Sequence, residues 1–241
     1  MEAYGKSDIG LVRETNQDDF YFESLSEGCA WAIVCDGMGG ANGGNIASSS
    51  MVSFVKKRFG EEFSLDLSAD EIEKLMTEIV IDCNREIYKL SCEDPFLKGM
   101  GTTCEFVLIK NKQVNIVHVG DSRTYSVRGG KLKQITEDHS VVQEMVRRGE
   151  LTPEQAENHP NKNYITRAIG IAPEIVVDYI QFDFVYGDVL LVCTDGLSNC
   201  VSGIDIIKTV HENRGEKLID TLIERAKSGG GKDNITAVAL Y

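Results

Sequence analysis

Two long helical stretches follow one another between residues 47 and 90 of this 241-residue chain, with no strand between them. That succession excludes the single-helix crossover of a simple parallel strand–helix–strand fold. In the first stretch Ala47, Met51, Phe54, Val55 and Phe59 recur at helical spacing. In the second, Ser68 and Glu71 form a capping box ahead of the stripe Ile72, Leu75, Met76, Ile79, Val80, Cys83, Ile87 and Leu90. Strand patterns occupy 19–24 and 30–35 before this helix pair, and 102–109, 113–119 and 123–127 after it. Gly129-Gly130 then turns the chain into a strand over 131–135. Short helices are expected over 138–149 and 153–158, the second with Thr152 as N-cap and Pro153 at its first position. The polar stretch 148–162, with two prolines, reads as a surface excursion. Strands return at 175–184 and 189–194. Two helices follow, one with Ile206, Ile207 and Val210, the next with Leu218, Leu222 and Ala226. Gly229-Gly230-Gly231 stops the second, and a strand over 235–240 closes the chain. Strand blocks separated by helix pairs, with hairpins, predict an α+β sandwich of mainly antiparallel sheets in one domain, 1–241.

The charge excludes one large class of partner. Lys and Arg total 25 against 38 Asp and Glu, a net −13. Nucleic-acid affinity comes from Lys and Arg neutralising phosphates, so this acid excess argues against it. Lys56-Lys57-Arg58 and Arg147-Arg148 read as solvated helix faces. The apolar runs are too short to span a bilayer, and the polar start of the chain has no apolar signal region. The seven cysteines include no C-x-x-C pair, and most lie in apolar runs such as Ile33-Val34-Cys35. Buried free thiols in a reducing compartment are expected, hence a soluble cytoplasmic protein away from any membrane.

One chemical pattern recurs. Ala32-Ile33-Val34-Cys35 ends in Asp36-Gly37, Val117-His118-Val119-Gly120 ends in Asp121-Ser122, and Leu191-Val192-Cys193-Thr194 ends in Asp195-Gly196. Asp18 precedes a strand, and Asp233-Asn234 precedes the last one. Asp-Gly after a strand is an ordinary turn signal. Yet Asp36-Gly37 leads into a helix, which a hairpin does not explain. If these strand ends share one rim, several carboxylates converge, and such a cluster is costly unless cations neutralise it. Oxygen donors without His or Cys suit Mg²⁺ or Mn²⁺. A nucleotide-binding reading of Gly37-Met38-Gly39-Gly40 fails, because no Gly-Lys-Ser/Thr follows and Asn42 replaces the third glycine of the dinucleotide fingerprint. Arg13, five residues ahead of Asp18, is either a surface salt-bridge partner or a bidentate phosphate ligand.

In order along the chain stand Arg13…Asn16-Gln17-Asp18, Asp36-Gly37-Met38-Gly39-Gly40, Gly101-Thr102-Thr103, Gly120-Asp121-Ser122-Arg123, Asp138-His139-Ser140, Asp195-Gly196-Leu197 and Asp233-Asn234. This series resembles the metal-dependent protein serine/threonine phosphatases of type 2C, in their compact bacterial form. The resemblance spans 13–234 and implies a four-layer α-β-β-α sandwich, two antiparallel sheets flanked by helix pairs. It implies hydrolysis of phosphoserine and phosphothreonine by a metal-activated water at a binuclear Mn²⁺ or Mg²⁺ centre. Asp36 would bridge two metals, Gly37 would add its backbone carbonyl, and Asp195 and Asp233 would complete the coordination of the first metal. Asp18 would hold metal-bound water, Asp121 with Asp195 would form a third site, and Arg13 would grip the phosphate. The catalytic set implied is thus Arg13, Asp18 and Asp36. The stretch around 148–162 matches the family's flap.

Two positions depart from the family pattern. Met38 stands where animal members carry a histidine thought to be the general acid, and a thioether cannot donate a proton. Gln17 replaces a glutamate of many members. Of the histidines only His139 lies in a motif, and packing or hydrogen bonding at a strand–helix junction is its expected role. The partners implied are phosphorylated proteins, including a serine/threonine kinase that a monomeric chain would oppose. The alternative is an inactive relative that keeps the fold as a binding module. Loss of Asp36, Asp195 or Asp233 would favour it, and all three are present.

Overall fold

The computed structural model describes residues 1–157 and 159–241, with the backbone alone for 40–42 and 157. One antiparallel sheet has the order β1 (Ala3–Asp8), β11 (Ile235–Leu240), β10 (Val189–Cys193), β7 (Arg123–Arg128), β8 (Lys131–Gln134). The other runs β2 (Asp18–Ser26), β3 (Cys29–Met38), β5 (Cys104–Lys110), β6 (Gln113–Val119), β9 (Asp178–Asp183), and the short β4 (Gly101–Thr102) pairs with the end of β3. The long helices α1 (Gly40–Glu62) and α2 (Ala69–Glu93) cover the second sheet, and α6 (Gly203–Glu212) with α7 (Glu216–Ser228) cover the first.

Strand periodicity explains why four layers form. Along β3 the residues Cys29, Trp31, Ile33 and Cys35 pack under α1 and α2, while Ala30, Ala32 and Val34 point into the space between the sheets. On β10, Val189, Leu191 and Cys193 face α6 and α7, and Leu190 and Val192 face inward. Both faces of each central strand are therefore buried, and three apolar layers hold four layers of secondary structure. On α1, Ala47, Met51, Val55 and Phe59 repeat every four residues and are all buried. The Ser68–Glu71 capping box forms as expected: the Glu71 N–H donates to Ser68 Oγ, and the Ser68 N–H donates to the Glu71 carboxylate over 2.9 Å.

Several elements differ from the expected ones. β1 was not foreseen, because its six mixed residues, none of them fully buried, carry no apolar run. α1 begins at Gly40, earlier than the Ala47 stripe indicates. The strand expected over 175–184 shortens to β9, and that over 102–109 divides into β4 and β5. The helix of 138–149 is α3 (Val141–Arg147), capped by Ser140, whose Oγ accepts from the Gln143 N–H. The helix of 153–158 is α4 (Pro153–Glu157); residue 158 lies outside the described residues. Thr152 caps it reciprocally with Gln155. The cysteines are free, and five of the seven are buried, with Cys92 exposed and Cys200 half-buried. No helix among the described residues is long and apolar enough to cross a membrane.

Candidate metal centre

The strand directions bring the recurring carboxylates to one rim. β2 starts where its antiparallel partner β3 ends, so Asp18 pairs with Asp36 directly across the strands. β10 ends where β11 starts, which brings Asp195, the first residue of the short α5 (Asp195–Ser198), beside Asp233. The β6–β7 turn adds Asp121. Arg13, Asp36, Gly37, Asp121, Asp195 and Asp233 line one cavity of about 400 Å³ together with Met38. Asp18 lies just behind it, buried.

Two carboxylates facing each other across a strand pair repel, and the supporting hydrogen bonds do not cancel that repulsion. The hydroxyls of Thr194 and Thr236 both donate to Asp18 Oδ2, over 2.9 and 2.7 Å. Asp18 Oδ1 is buried with no partner, and so is Asp195 Oδ1. The Asp36 backbone is clamped instead: its N–H donates to Thr103 Oγ1 (2.8 Å), and its carbonyl accepts from the Thr103 N–H and the Thr102 hydroxyl. The strand end is therefore fixed while the side chain stays available. Thr102 and Thr103 belong to a motif read from the sequence; Thr194 and Thr236 were missed. Polar residues inside the apolar strand ends β10 and β11 were their only signal.

Electrostatics record the crowding. Burial, followed by the charges of Asp18, Asp195, Asp121 and Asp233, pushes the Asp36 carboxyl well above the usual carboxylate range. Burial raises Asp18 and Asp121 to about 7, and burial with Asp233 raises Asp195 to about 6. A half-buried acid cluster with orphaned oxygens, faced by a backbone loop and lined by neither imidazole nor thiol, fits hard divalent cations such as Mg²⁺ and Mn²⁺. Among the described residues no three such side chains close on a single point. The donors surround a cavity, and water would supply the rest of any coordination shell.

An acid whose pKa is higher folded than unfolded makes the folded state bind more protons, so stability falls as pH rises between the two values. In the presence of a chelator, the melting temperature should fall between pH 4 and pH 7 as Asp18, Asp36, Asp121 and Asp195 are forced to ionise. Added Mn²⁺ should reverse the fall at pH 7. Calorimetric scans across that range check it; a flat or rising profile without metal would remove the repulsion argument.

Arg13 sits on a loop held by a Leu11 N–H bond to the Gly231 carbonyl. Its Nη2 donates to Asp233 Oδ2 over 2.7 Å, and both side chains are partly exposed. It thus reaches the rim and pairs there with a member of the cluster, as well as lining the cavity. Asn234 braces the same rim: its side chain accepts from the Gln17 N–H and donates to the Ile9 and Thr15 carbonyls. His139 does not line the cavity. It is buried, its ring Nδ1 accepts the Gly120 N–H, its backbone N–H donates to the Gly120 carbonyl, and burial then His118 lower its pKa to about 4. It is therefore neutral at pH 7 and props the Gly120–Asp121 turn.

Comparison with known proteins agrees with this geometry. Residues 11–236 match the protein phosphatase 2C family. Serine/threonine phosphatase stp of Listeria monocytogenes serotype 4b (strain F2365) is 38% identical over 242 residues, covering 100% of this chain and 95% of its own. The structure of serine/threonine phosphatase Stp1 from Staphylococcus aureus superposes with a TM-score of 0.93 at 33% identity, covering 99% of this chain and 93% of its own. The catalytic domain of serine threonine protein phosphatase PstP, in complex with two manganese ions, gives a TM-score of 0.86 at 33% identity over 99% of this chain and 96% of its own. With its two-sheet sandwich, its rim of aspartates and these full-length similarities, the chain belongs to the protein phosphatase 2C family of enzymes.

Proposed function

We propose that this chain hydrolyses phosphoserine and phosphothreonine in proteins, with Mn²⁺ or Mg²⁺ at two positions and a third near Asp121, and that it opposes a serine/threonine kinase in a bacterial cytoplasm. The observation that carries the reading is the convergence of Asp36, Asp121, Asp195 and Asp233, backed by Asp18, on one cavity that also receives a guanidinium. Asp36, the Gly37 carbonyl, Asp195 and Asp233 would hold the metals, Asp18 would act through water, and Asp121 with Asp195 would form the third position. A divalent cation held by these residues would supply neutralisation of the negative field and activation of water as a nucleophile.

The protein's own residues supply the rest. Arg13, released from Asp233, would meet phosphate oxygens through its planar fork. The Thr102–Thr103 clamp fixes the strand end that carries Asp36. Release of phosphate from an autophosphorylated serine/threonine kinase, with and without Mn²⁺, tests the whole reading; no metal-dependent release would refute it.

One variant and one substrate series probe the division of labour. Arg13→Ala should act mainly on KM for small phosphoesters, by the roughly 10- to 150-fold that corresponds to a charge-assisted contact of about 1.5–3 kcal/mol. Steady-state kinetics giving unchanged KM and kcat would return Arg13 to a surface ion-pair role. Met38 lines the cavity and cannot protonate a departing alkoxide. Across phenyl phosphates of graded leaving-group pKa, kcat/KM should therefore fall steeply as the leaving group worsens. A flat dependence, with chemistry rate-limiting, would show an efficient general acid after all.

A further inference from the structure

The layer between the two sheets is apolar until it nears the carboxylate rim, where it admits buried acids. Asp18, which takes the hydroxyls of Thr194 and Thr236 from across the layer, is one. Glu105 on β5 is another, and it lies outside the reaction centre. It shares the inward face of β5 with Val107 and Ile109, and its side chain is wholly buried. One carboxylate oxygen meets Nδ1 of His118, its directly opposed neighbour on β6. The other accepts the Thr124 hydroxyl from β7, in the opposite sheet. The His118 ring is equally buried, and its Nε2 donates to the Glu137 carbonyl over 2.9 Å. A carbonyl only accepts, so Nε2 carries a proton. One further proton lies between Nδ1 and the carboxylate, and the pair is net neutral whichever atom holds it.

A buried pair of this kind is a weak source of stability, because apolar side chains of similar volume commonly do as well or better. Its contacts point to placement instead. His118 holds Glu137, and the next two residues grip the turn that carries Asp121. Asp138 takes Arg123, with Nε 2.9 Å from Oδ1 and Nη2 2.7 Å from Oδ2. The His139 backbone N–H donates to the Gly120 carbonyl over 2.7 Å, and the Gly120 N–H donates back to His139 Nδ1 over 3.0 Å. The His118 and His139 rings also touch, with centroids 4.5 Å apart. Asp121 is thus held on both flanks by 138–139, and His118 ties that segment to the interior of the sandwich.

We propose that Glu105 and His118 are positioning residues for the reaction: they hold the 137–139 segment in place and, through it, aim Asp121 into the cavity. The inference rests on the phosphatase reading, in which Asp121 serves the third metal position, and adds the residues that place that side chain. Neither Glu105 nor His118 lines the cavity, so their effect must travel through the turn.

Glu105→Leu removes the partner of both His118 and Thr124 at nearly constant volume. Glu105→Gln keeps both contacts, its amide donating to Nδ1 and its oxygen accepting from Thr124. The first readout needs no metal. Amide hydrogen exchange is followed by NMR in chelator, with Val238, paired on both sides within β11, reporting overall opening. In Glu105→Leu the Gly120 amide should exchange at least about tenfold faster relative to Val238, and Glu105→Gln should restore the ratio. The second readout is a cycle with Asp121→Asn, taken as kcat/KM for p-nitrophenyl phosphate with Mn²⁺. Glu105→Leu should cost about 10- to 100-fold alone, but less than about twofold in the Asp121→Asn background. A Gly120 to Val238 ratio unchanged by Glu105→Leu would make the pair a stability element only and overturn the proposal, as would losses that multiply in the double variant. Thr124→Val, which withdraws one hydroxyl from Glu105, gives the same comparisons with smaller shifts should the leucine variant fail to fold. If the unaltered protein turns over no phosphoester with Mn²⁺, the phosphatase reading falls, and the exchange ratio still decides whether the pair places the turn.

Discussion

Asp36→Asn should lower Mn²⁺-dependent phosphate release on the order of a thousandfold or more, and weaken metal binding by more than about a hundredfold. The cause is its place in the cluster. Asp36 faces Asp18 across the strands and feels the charges of Asp195, Asp121 and Asp233. Removing its charge takes one anion from the centre of the group that would hold the cations. The same change should stabilise the metal-free protein at pH 7.5, because the remaining carboxylates lose a repelling neighbour. Activity and apo-stability would thus move in opposite directions, which a packing defect could not produce. Calorimetric Mn²⁺ titration and thermal unfolding in chelator, run on both proteins, decide the matter. Unchanged metal affinity in Asp36→Asn would remove it from the metal site.

The carboxylate rim was legible in the sequence because each member closes an apolar run or precedes one. Once two antiparallel sheets pack, strand ends and strand starts alternate along a shared edge, and Asp18, Asp36, Asp195 and Asp233 must meet there. The helix pair α1–α2 was legible for the same kind of reason, an apolar stripe with a cap. What could not be read is whatever depends on a distant partner. β1 is a strand because β11 offers it a free edge, from Ala3 opposite Leu240 to Asp8 opposite Ile235, and nothing within six mixed residues signals that. The first turn of α1 is rich in glycine, which locally favours a loop, and docking overrides that preference. Arg13 reads as a phosphate ligand or a surface ion-pair residue, and the structure shows it touching Asp233. That contact joins residues 220 positions apart.

Gly37→Ala is expected to be a severely damaging single-methyl change at the site. A Cβ on Gly37 would lie 2.1 Å from the Gly44 carbonyl oxygen and 2.5 Å from that of Gln17. Neither oxygen belongs to a side chain that could rotate away. The Gln17 carbonyl already accepts the Gly37 N–H and the Ser48 hydroxyl, over 3.0 and 2.7 Å. Gly44 sits in the first turn of α1, its N–H bonded to the Gly39 carbonyl. The methyl must therefore push the end of β3 away from the helix, and it moves the Gly37 carbonyl that the metal reading needs. Overpacking of this kind costs about 3 kcal/mol, or roughly 6–12 °C in melting temperature for a chain of this size. Mn²⁺-dependent turnover should fall by about a hundredfold or more, since the ligands shift together. Gly28→Ala is the matched control: nothing lies within 4 Å of the added Cβ, so melting temperature and turnover should stay near those of the unaltered protein. If Gly37→Ala were as mild as Gly28→Ala in both measurements, the close approach of β3 to α1 would not be what places the Gly37 carbonyl at the centre.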